Sequence, residues 1–208
     1  MNVLSLNIRG MGEPHKLSWL RRLRSEHKLS FCCIQETQLS SLSRCDLSAS
    51  WGDDDFDFDS VDAVGRSGGV ISIWEKGKFQ KIATIKDRFF LAVAGYWNGV
   101  LGETIFVNVY APQELSEKKL LWTKIANLID SRTGNWIVLG DFNSVRKKEE
   151  RFNSSFCPYT AAAFNNFIQD TGLIEPNMGG GVDSPTSATT EPNIIFFFFP
   201  GISDSCLS

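Results

Sequence analysis

The chain has little of what several protein classes require. Its five cysteines are an odd number with no Cys-x-x-Cys pair, which argues against a disulfide framework and against a zinc site built from cysteine. Cys32 and Cys33 sit inside an apolar run, where they read as small hydrophobes in a reducing compartment. Only two histidines are present, His15 and His27, and both belong to one early segment. No apolar stretch approaches the ~20 residues that span a bilayer, and Met1 to Asn7 lacks the basic and apolar regions of a signal peptide. The expectation is an intracellular protein without membrane contact. The net charge is -3, so there is no basic excess of the kind that marks non-specific DNA binders.

What is present suits one substantial α/β domain. The 208 residues are 42% hydrophobic and 12% aromatic, a globular composition. Val3–Asn7 reads as a strand, Pro14 opens a helix carrying Leu17, Leu20 and Leu23, and Phe31–Glu36 is a second strand. This β-α-β unit predicts two parallel neighbours. Residues 40 to 68 read as loop, with 53–59 a solvated acidic segment. Counted from Asp53 or Asp55, the run lacks the sixth-position glycine and twelfth-position glutamate of a calcium loop. Strands at Val70–Trp74, Phe79–Ile85, Phe89–Trp97 and Thr104–Tyr110 suggest an antiparallel meander. A helix over 114–130 turns Leu121, Ile125, Leu128 and Ile129 inward. A second, capped by Thr160, runs to Asp170 with Phe164, Phe167 and Ile168 inward. Residues 1–175 form the domain by this reading. Residues 176–208 read as an aberrant, poorly folded tail, within which Ile194–Phe199 is either a buried strand or an aggregation-prone window.

The most informative stretch is Ile137-Val138-Leu139-Gly140-Asp141-Phe142-Asn143. It is a short apolar strand that delivers an acid and an amide to the loop at its carboxyl end. An Asx turn would produce the same residues. Asn7, Glu36 and Tyr110 also stand at or just past strand ends, however, and together the five form a pattern. Ligand sites gather at the carboxyl ends of strands, and hard oxygen donors beside neutral hydrogen-bond donors suit a magnesium ion with a phosphate.

Five blocks carry a resemblance to a known family. They are Ser5-Leu6-Asn7-Ile8-Arg9-Gly10, Ile34-Gln35-Glu36-Thr37, Gly68-Gly69-Val70, Val107-Asn108-Val109-Tyr110-Ala111-Pro112 and Leu139-Gly140-Asp141-Phe142-Asn143. In order and spacing they resemble the endonuclease/exonuclease/phosphatase family, and within it the endonuclease domain of plant LINE-type (non-LTR) retrotransposons. The resemblance implies a four-layer α-β-β-α sandwich, deoxyribonuclease I-like and incomplete at its C-terminus. It also implies phosphodiester hydrolysis of DNA assisted by Mg²⁺, with Mn²⁺ admissible, and a nuclear location if DNA is the substrate, otherwise a cytoplasmic one. Glu36 with Asn7 would bind the metal, Tyr110 would contact the scissile phosphate, Asp141 would position or activate the water, and Asn143 would hold a phosphate oxygen. Arg9 and the segment from Arg146 to Arg151 would meet neighbouring phosphates or simply face solvent.

The chain departs from the family after Gly179-Gly180-Gly181. The family's Thr-Trp strand and Leu-Asp block do not follow, and Ser203-Asp204-Ser205-Cys206 stands where a closing Ser-Asp-His is expected. The expectation is weak or absent turnover, with strands of the second sheet missing. A non-catalytic nucleic-acid-binding remnant and a small-phosphoester phosphatase of the same fold remain as alternatives.

Overall fold

The structure is a computed structural model that describes residues 1–41, 43–65, 67–150, 155–175 and 194–198. Its elements run β1 (Val3–Asn7), α1 (Pro14–His27), β2 (Phe31–Gln35), α2 (Arg44–Trp51), β3 (Phe56–Val64), β4 (Ser67–Glu75), β5 (Phe79–Lys86), β6 (Phe90–Trp97) and β7 (Glu103–Tyr110). They continue α3 (Leu115–Asp130), β8 (Asn135–Asp141), α4 (Pro158–Asp170) and β9 (Ile194–Phe198). Two sheets result, ordered β1-β2-β4-β3 and β5-β6-β7-β8-β9. β1 and β2 are parallel, as the β-α-β reading requires, and β7 and β8 repeat that relation around α3.

Three buried clusters define the layers. One packs Leu20 of α1 and Leu47 and Trp51 of α2 against Leu6, Ile34, Ile71 and Ile73 of the first sheet. A second packs Leu121, Trp122 and Ile125 of α3 and Phe164, Phe167 and Ile168 of α4 against Ile105, Val107, Val109 and Val138 of the second sheet. The third lies between the sheets, where Phe31 stacks on Phe106 at 3.8 Å with Trp74, Phe79 and Trp97 around them. Helix, sheet, sheet, helix is the expected four-layer sandwich.

Strand alternation sets what enters the space between the sheets. Odd residues of β1 and β2 point inward, as do even residues of β7 and odd residues of β8. The inner rows are therefore Val3-Ser5-Asn7, Phe31-Cys33-Gln35, Phe106-Asn108-Tyr110 and Ile137-Leu139-Asp141. Apolar rings fill one end, polar groups take over toward the carboxyl ends, and the last members reach the mouth. Midway, Gln35 Nε2 donates to Asn108 Oδ1 at 2.7 Å and to Ser5 Oγ at 3.0 Å, while Asn108 Nδ2 donates to the Ile71 carbonyl at 2.9 Å. Cys32 and Cys33 are both buried, and burial raises both thiols, that of Cys32 to about 12.

Three expectations need correction. The segment 40–68 read as loop contains α2, all of β3 and the start of β4, and its acidic run 53–59 leads into β3. Phe56 and Phe58 face the helices while Asp57 and Asp59 alternate to the other side, so the Asp/Phe pattern is a strand's period of two. The four-strand meander is three strands, β5-β6-β7, because β4 pairs between β2 and β3 in the other sheet. Thr160 does not cap α4: the helix starts at Pro158 with Cys157 in the cap position. Leu128 packs inward against the second-sheet cluster as expected, half-buried, and Trp122 is also part of that cluster. In the C-terminal segment, Ile194–Phe198 adds to the second sheet as β9, parallel to β8. The remainder of the expected tail, with the Ser203-Asp204-Ser205 motif, lies outside the described residues, as does Arg151.

Asp59 ties the edge of one sheet to the edge of the other. Its carboxylate accepts from Lys81 at 3.0 Å, Thr84 at 2.8 Å and Lys86 at 2.5 Å, all on β5. Burial pushes its pKa up, but the bonds from Lys86, Thr84 and Lys81 together outweigh burial and hold the acid at about 2. A depressed folded-state pKa stabilises the fold above the ordinary value of 3.8, and that contribution is lost as pH falls toward 2. Asp59→Asn should therefore lower urea stability by about 1–3 kcal/mol at pH 7. The gap from the parent should close between pH 4 and pH 2. A gap independent of pH would refute the clamp.

Candidate active site

The four strand ends meet at the mouth of the sandwich. Parallel register places Asn7 opposite Gln35 and Tyr110 opposite Asp141. Across the gap between sheets, Asn7 Nδ2 donates to Asp141 Oδ2 at 2.8 Å. Asn7 Oδ1 accepts the Arg9 amide at 3.1 Å, which fixes the amide orientation and leaves no doubt about which end faces the acid. The other Asp141 oxygen accepts the Asn143 amide at 2.9 Å. One carboxylate thus joins the end of β1 to the loop after β8. Hydrogen bonds to a charged acceptor contribute roughly 1.5–3 kcal/mol each.

Glu36 comes in by a backbone reversal. Its φ is 57°, with Gln38 at the same value, and a left-handed conformation costs a non-glycine residue roughly 1–2 kcal/mol. Backbone bonds on both sides offset that cost. Gly10 and Met11 donate to the carbonyls of Glu36 and Thr37, while Thr37 and Gln38 donate to those of Gly69 and Gly68. This explains the Gly68-Gly69 block: a Cβ at Gly69 would strike the Thr37 hydroxyl. Gln38 Nε2 lies 3.4 Å from Glu36 Oε1 and orients the carboxylate.

Tyr110 reports the field of the whole cluster. Burial raises its pKa, the negative charges of Glu36 and Asp141 raise it further, Arg9 opposes them, and the phenol titrates at about 12. Glu36, Tyr110, Asp141 and Arg9 therefore share one electrostatic neighbourhood. At neutral pH the phenol is a neutral donor.

Asn143 is more committed than its motif suggests. Its Nδ2 donates to the Ala111 carbonyl at 2.7 Å, joining the loop after β8 to the loop after β7, so one amide hydrogen belongs to the fold and the other is what it has for a ligand. Arg146 is also taken up by structure rather than facing a ligand. Its side chain bonds Asn165 at 3.0 Å and Glu175 at 2.5 Å.

Several residues that matter here were not singled out in the sequence. Gln35 and Asn108 were legible only as part of motif blocks, although a lone amide within an apolar strand is itself a signal. Gln38 gave none. Lys16 and Lys118 reach the site loops, and Lys118 carries a visible sign: it is a charged residue on the apolar stripe of α3.

The donor set fits a hard divalent cation that keeps much of its shell for water and substrate. Glu36 offers a carboxylate and Asn7 a neutral oxygen, with Asp141 beside it. Among the described residues no group of three or more His, Cys, Asp or Glu could form a metal cage on its own, so the set does not suit a closed zinc-type site.

These side chains gather at one mouth of a two-sheet sandwich, and comparison with known proteins places the chain in a family. The chain belongs to the endonuclease/exonuclease/phosphatase family, whose model matches residues 2–192. Its fold is similar to AP endonuclease LMAP from Leishmania major, with 14% identity, TM-score 0.61, and coverage of 81% of this chain and 65% of that one. It is similar to the 3' phosphatase NExo from Neisseria bound to a product DNA hairpin, with 14% identity, TM-score 0.58, and coverage of 81% and 69%. The Xenopus laevis APE2 catalytic domain gives 16% identity, TM-score 0.61, and coverage of 80% and 67%. The chain spans about two thirds of the length of these structures, and at such identities they show the shared fold.

Gly140 is the backbone hinge of the site. Its φ is 140°, and a Cβ there would collide with the Val109 carbonyl of the neighbouring strand. Gly140→Ala should destabilise the chain by about 2 kcal/mol or more, because strain and displacement of β8 from β7 combine. Thermal melting checks this, and a variant that melts with the parent would show that β8 does not need this conformation.

Proposed function

We propose that the chain is a divalent-metal-dependent phosphodiester hydrolase whose substrate is DNA, of the retroelement endonuclease type. The observation that carries this reading is the Asn7–Asp141 hydrogen bond across the sheets, with Glu36 and Tyr110 in the same field. Support for DNA comes from the five sequence blocks and from the fold shared with a 3' phosphatase whose structure holds a product DNA hairpin. Support for a retroelement origin comes from the sequence resemblance alone.

Each residue then has a task. Asp141, held on one oxygen by Asn7 and on the other by the Asn143 amide, keeps a fixed direction and orients the attacking water. Tyr110, neutral because its pKa is raised, donates to a non-bridging phosphate oxygen. Asn143 adds a neutral donor from its second amide hydrogen. Glu36 and Asn7 would hold Mg²⁺ or Mn²⁺. The ion supplies Lewis-acid stabilisation of charge on the phosphate and the leaving oxygen. By the sequence resemblance Ser205 stands in the place of the family's closing histidine, and on that reading turnover is about 10²–10⁴ below that of a site with the histidine.

Nicking of supercoiled plasmid in Mg²⁺ tests the proposal. Slow nicking should occur, and should vanish with EDTA and in a Glu36→Ala/Asp141→Ala double variant. A folded chain that binds duplex DNA but never nicks it would overturn hydrolysis in favour of a non-catalytic remnant.

A further inference from the structure

Two lysines bind the carbonyl side of the loops whose other side carries the site. Lys118 lies on α3 with 4% relative exposure, and its Nζ donates to the Asn143 carbonyl at 2.6 Å. Lys16 lies on α1, and its Nζ donates to the Arg9 carbonyl at 2.9 Å and the Ile8 carbonyl at 3.2 Å. Each sits in the first turn or so of the helix that follows a strand ending at the site, β7 for Lys118 and β1 for Lys16. The same device therefore appears in both β-α-β units.

The placement has a physical logic. Burying an ammonium is unfavourable unless it is well paired, so Lys118 is an expensive way merely to fill space on an apolar helix face. A methionine would fill that space without the penalty. What the lysine adds is a charged donor to a loop carbonyl. Asn143 has a left-handed backbone with φ 48°, and Arg9 has one with φ 49°. Both are non-glycine residues in a conformation they disfavour. In each case the amide of the same residue faces the site: the Asn143 amide donates to Asp141 and the Arg9 amide to Asn7. A lysine bonded to the carbonyl fixes the peptide unit that follows the left-handed residue and so restrains its ψ, and Lys16 also bonds the Ile8 carbonyl, which shares a peptide unit with the Arg9 amide. The amides aimed at the catalytic pair are steadied in this way. Lys118 also brings positive charge toward Cys157, whose thiol is lowered chiefly by its hydrogen bond with Thr160 and to a lesser degree by Lys118.

We infer that Lys118 and Lys16 are positioning residues, which restrain Asn143 and Arg9 in their left-handed backbone conformation and thereby fix the direction of Asp141 and Asn7. The inference rests on the proposed hydrolytic role of Asp141 for its kinetic consequence, but not for its structural one. A misdirected carboxylate should lower the rate of the chemical step with little effect on substrate capture, since small displacements of a reacting group cost up to about 10²-fold.

The test uses the full chain with Lys118→Met and Lys118→Arg, and Lys16→Met beside them. Amide hydrogen exchange is read at Asn143 and Arg9, with the Val107 and Val138 amides as the measure of the folded core. Lys118→Met should speed exchange at Asn143 at least 10-fold while Val107 and Val138 stay protected, and Lys118→Arg should restore part of the protection. Lys16→Met should do the same at Arg9. In Mg²⁺-dependent plasmid nicking, kcat should fall about 10–100-fold with KM within about threefold of the parent. Unchanged exchange at Asn143 and Arg9, or an unchanged kcat, would overturn the inference. So would a loss of core protection in both Lys118 variants, which would make the lysine a general structural residue. If the parent chain does not nick at all, the hydrolytic reading fails, and the exchange measurement still decides the role of the lysines.

Discussion

The hydrogen bond between Gln35 and Asn108 is the constraint on which the site depends. Both side chains are essentially inaccessible, at 1% and 0% relative exposure, and they join the two sheets at 2.7 Å. Ser5, the Cys33 carbonyl and the Ile71 carbonyl take up their other donors. A buried amide left without partners costs roughly 1–3 kcal/mol, so the pair has to be satisfied as a network. That demand fixes the registration of one sheet over the other in a way the aromatic cluster alone does not, because stacked rings tolerate sliding. Toward the mouth beyond them stand Glu36 and Tyr110, with Asn7 level with Gln35 and Asp141 level with Tyr110. Registration of the sheets is therefore registration of the site.

The interior is graded along its length. Phe31, Trp74, Phe79, Trp97 and Phe106 pack one end, buried amides and hydroxyls occupy the middle, and titratable groups close the other. Hydrophobic burial drives assembly, while the polar middle selects one alignment among those that burial would permit. The mouth then pays with strained backbone: Arg9, Glu36, Gln38 and Asn143 all have positive φ. Such conformations persist only where neighbouring structure over-determines them, and here backbone bonds to Gly68 and Gly69 and lysines from α1 and α3 do so.

Much of this was legible in the sequence, for reasons that can be stated. β1, β2, β7 and β8 are apolar runs ending in polar residues, and burial on both faces together with an abrupt change at the carboxyl end is a strong local signal. The parallel pairing of β1 with β2 followed from the intervening helix. What was hidden was hidden by distance along the chain. The Gln35–Asn108 bond spans 73 residues, and nothing local says that two amides in separate strands will meet. β3 was masked by composition, since Asp59 is tolerable inside the sandwich edge only because Lys81, Thr84 and Lys86 come from the other sheet. The commitment of Asn143 to Ala111 and of Arg146 to Glu175 and Asn165 likewise depends on tertiary partners. A family motif names such residues without showing how much of each is already used by the fold.

The central claim is that Glu36, Tyr110 and Asp141 form a single electrostatic unit. The most direct measurement is the titration of the Tyr110 ring carbon by NMR in the parent chain and in Glu36→Gln and Asp141→Asn variants. The account predicts a phenol pKa near 12 in the parent, and a lower one in each variant, because each removes a negative charge that opposes phenolate. A Tyr110 that titrates alike in all three proteins would mean that the carboxylates do not face the phenol, and the site as described would not exist.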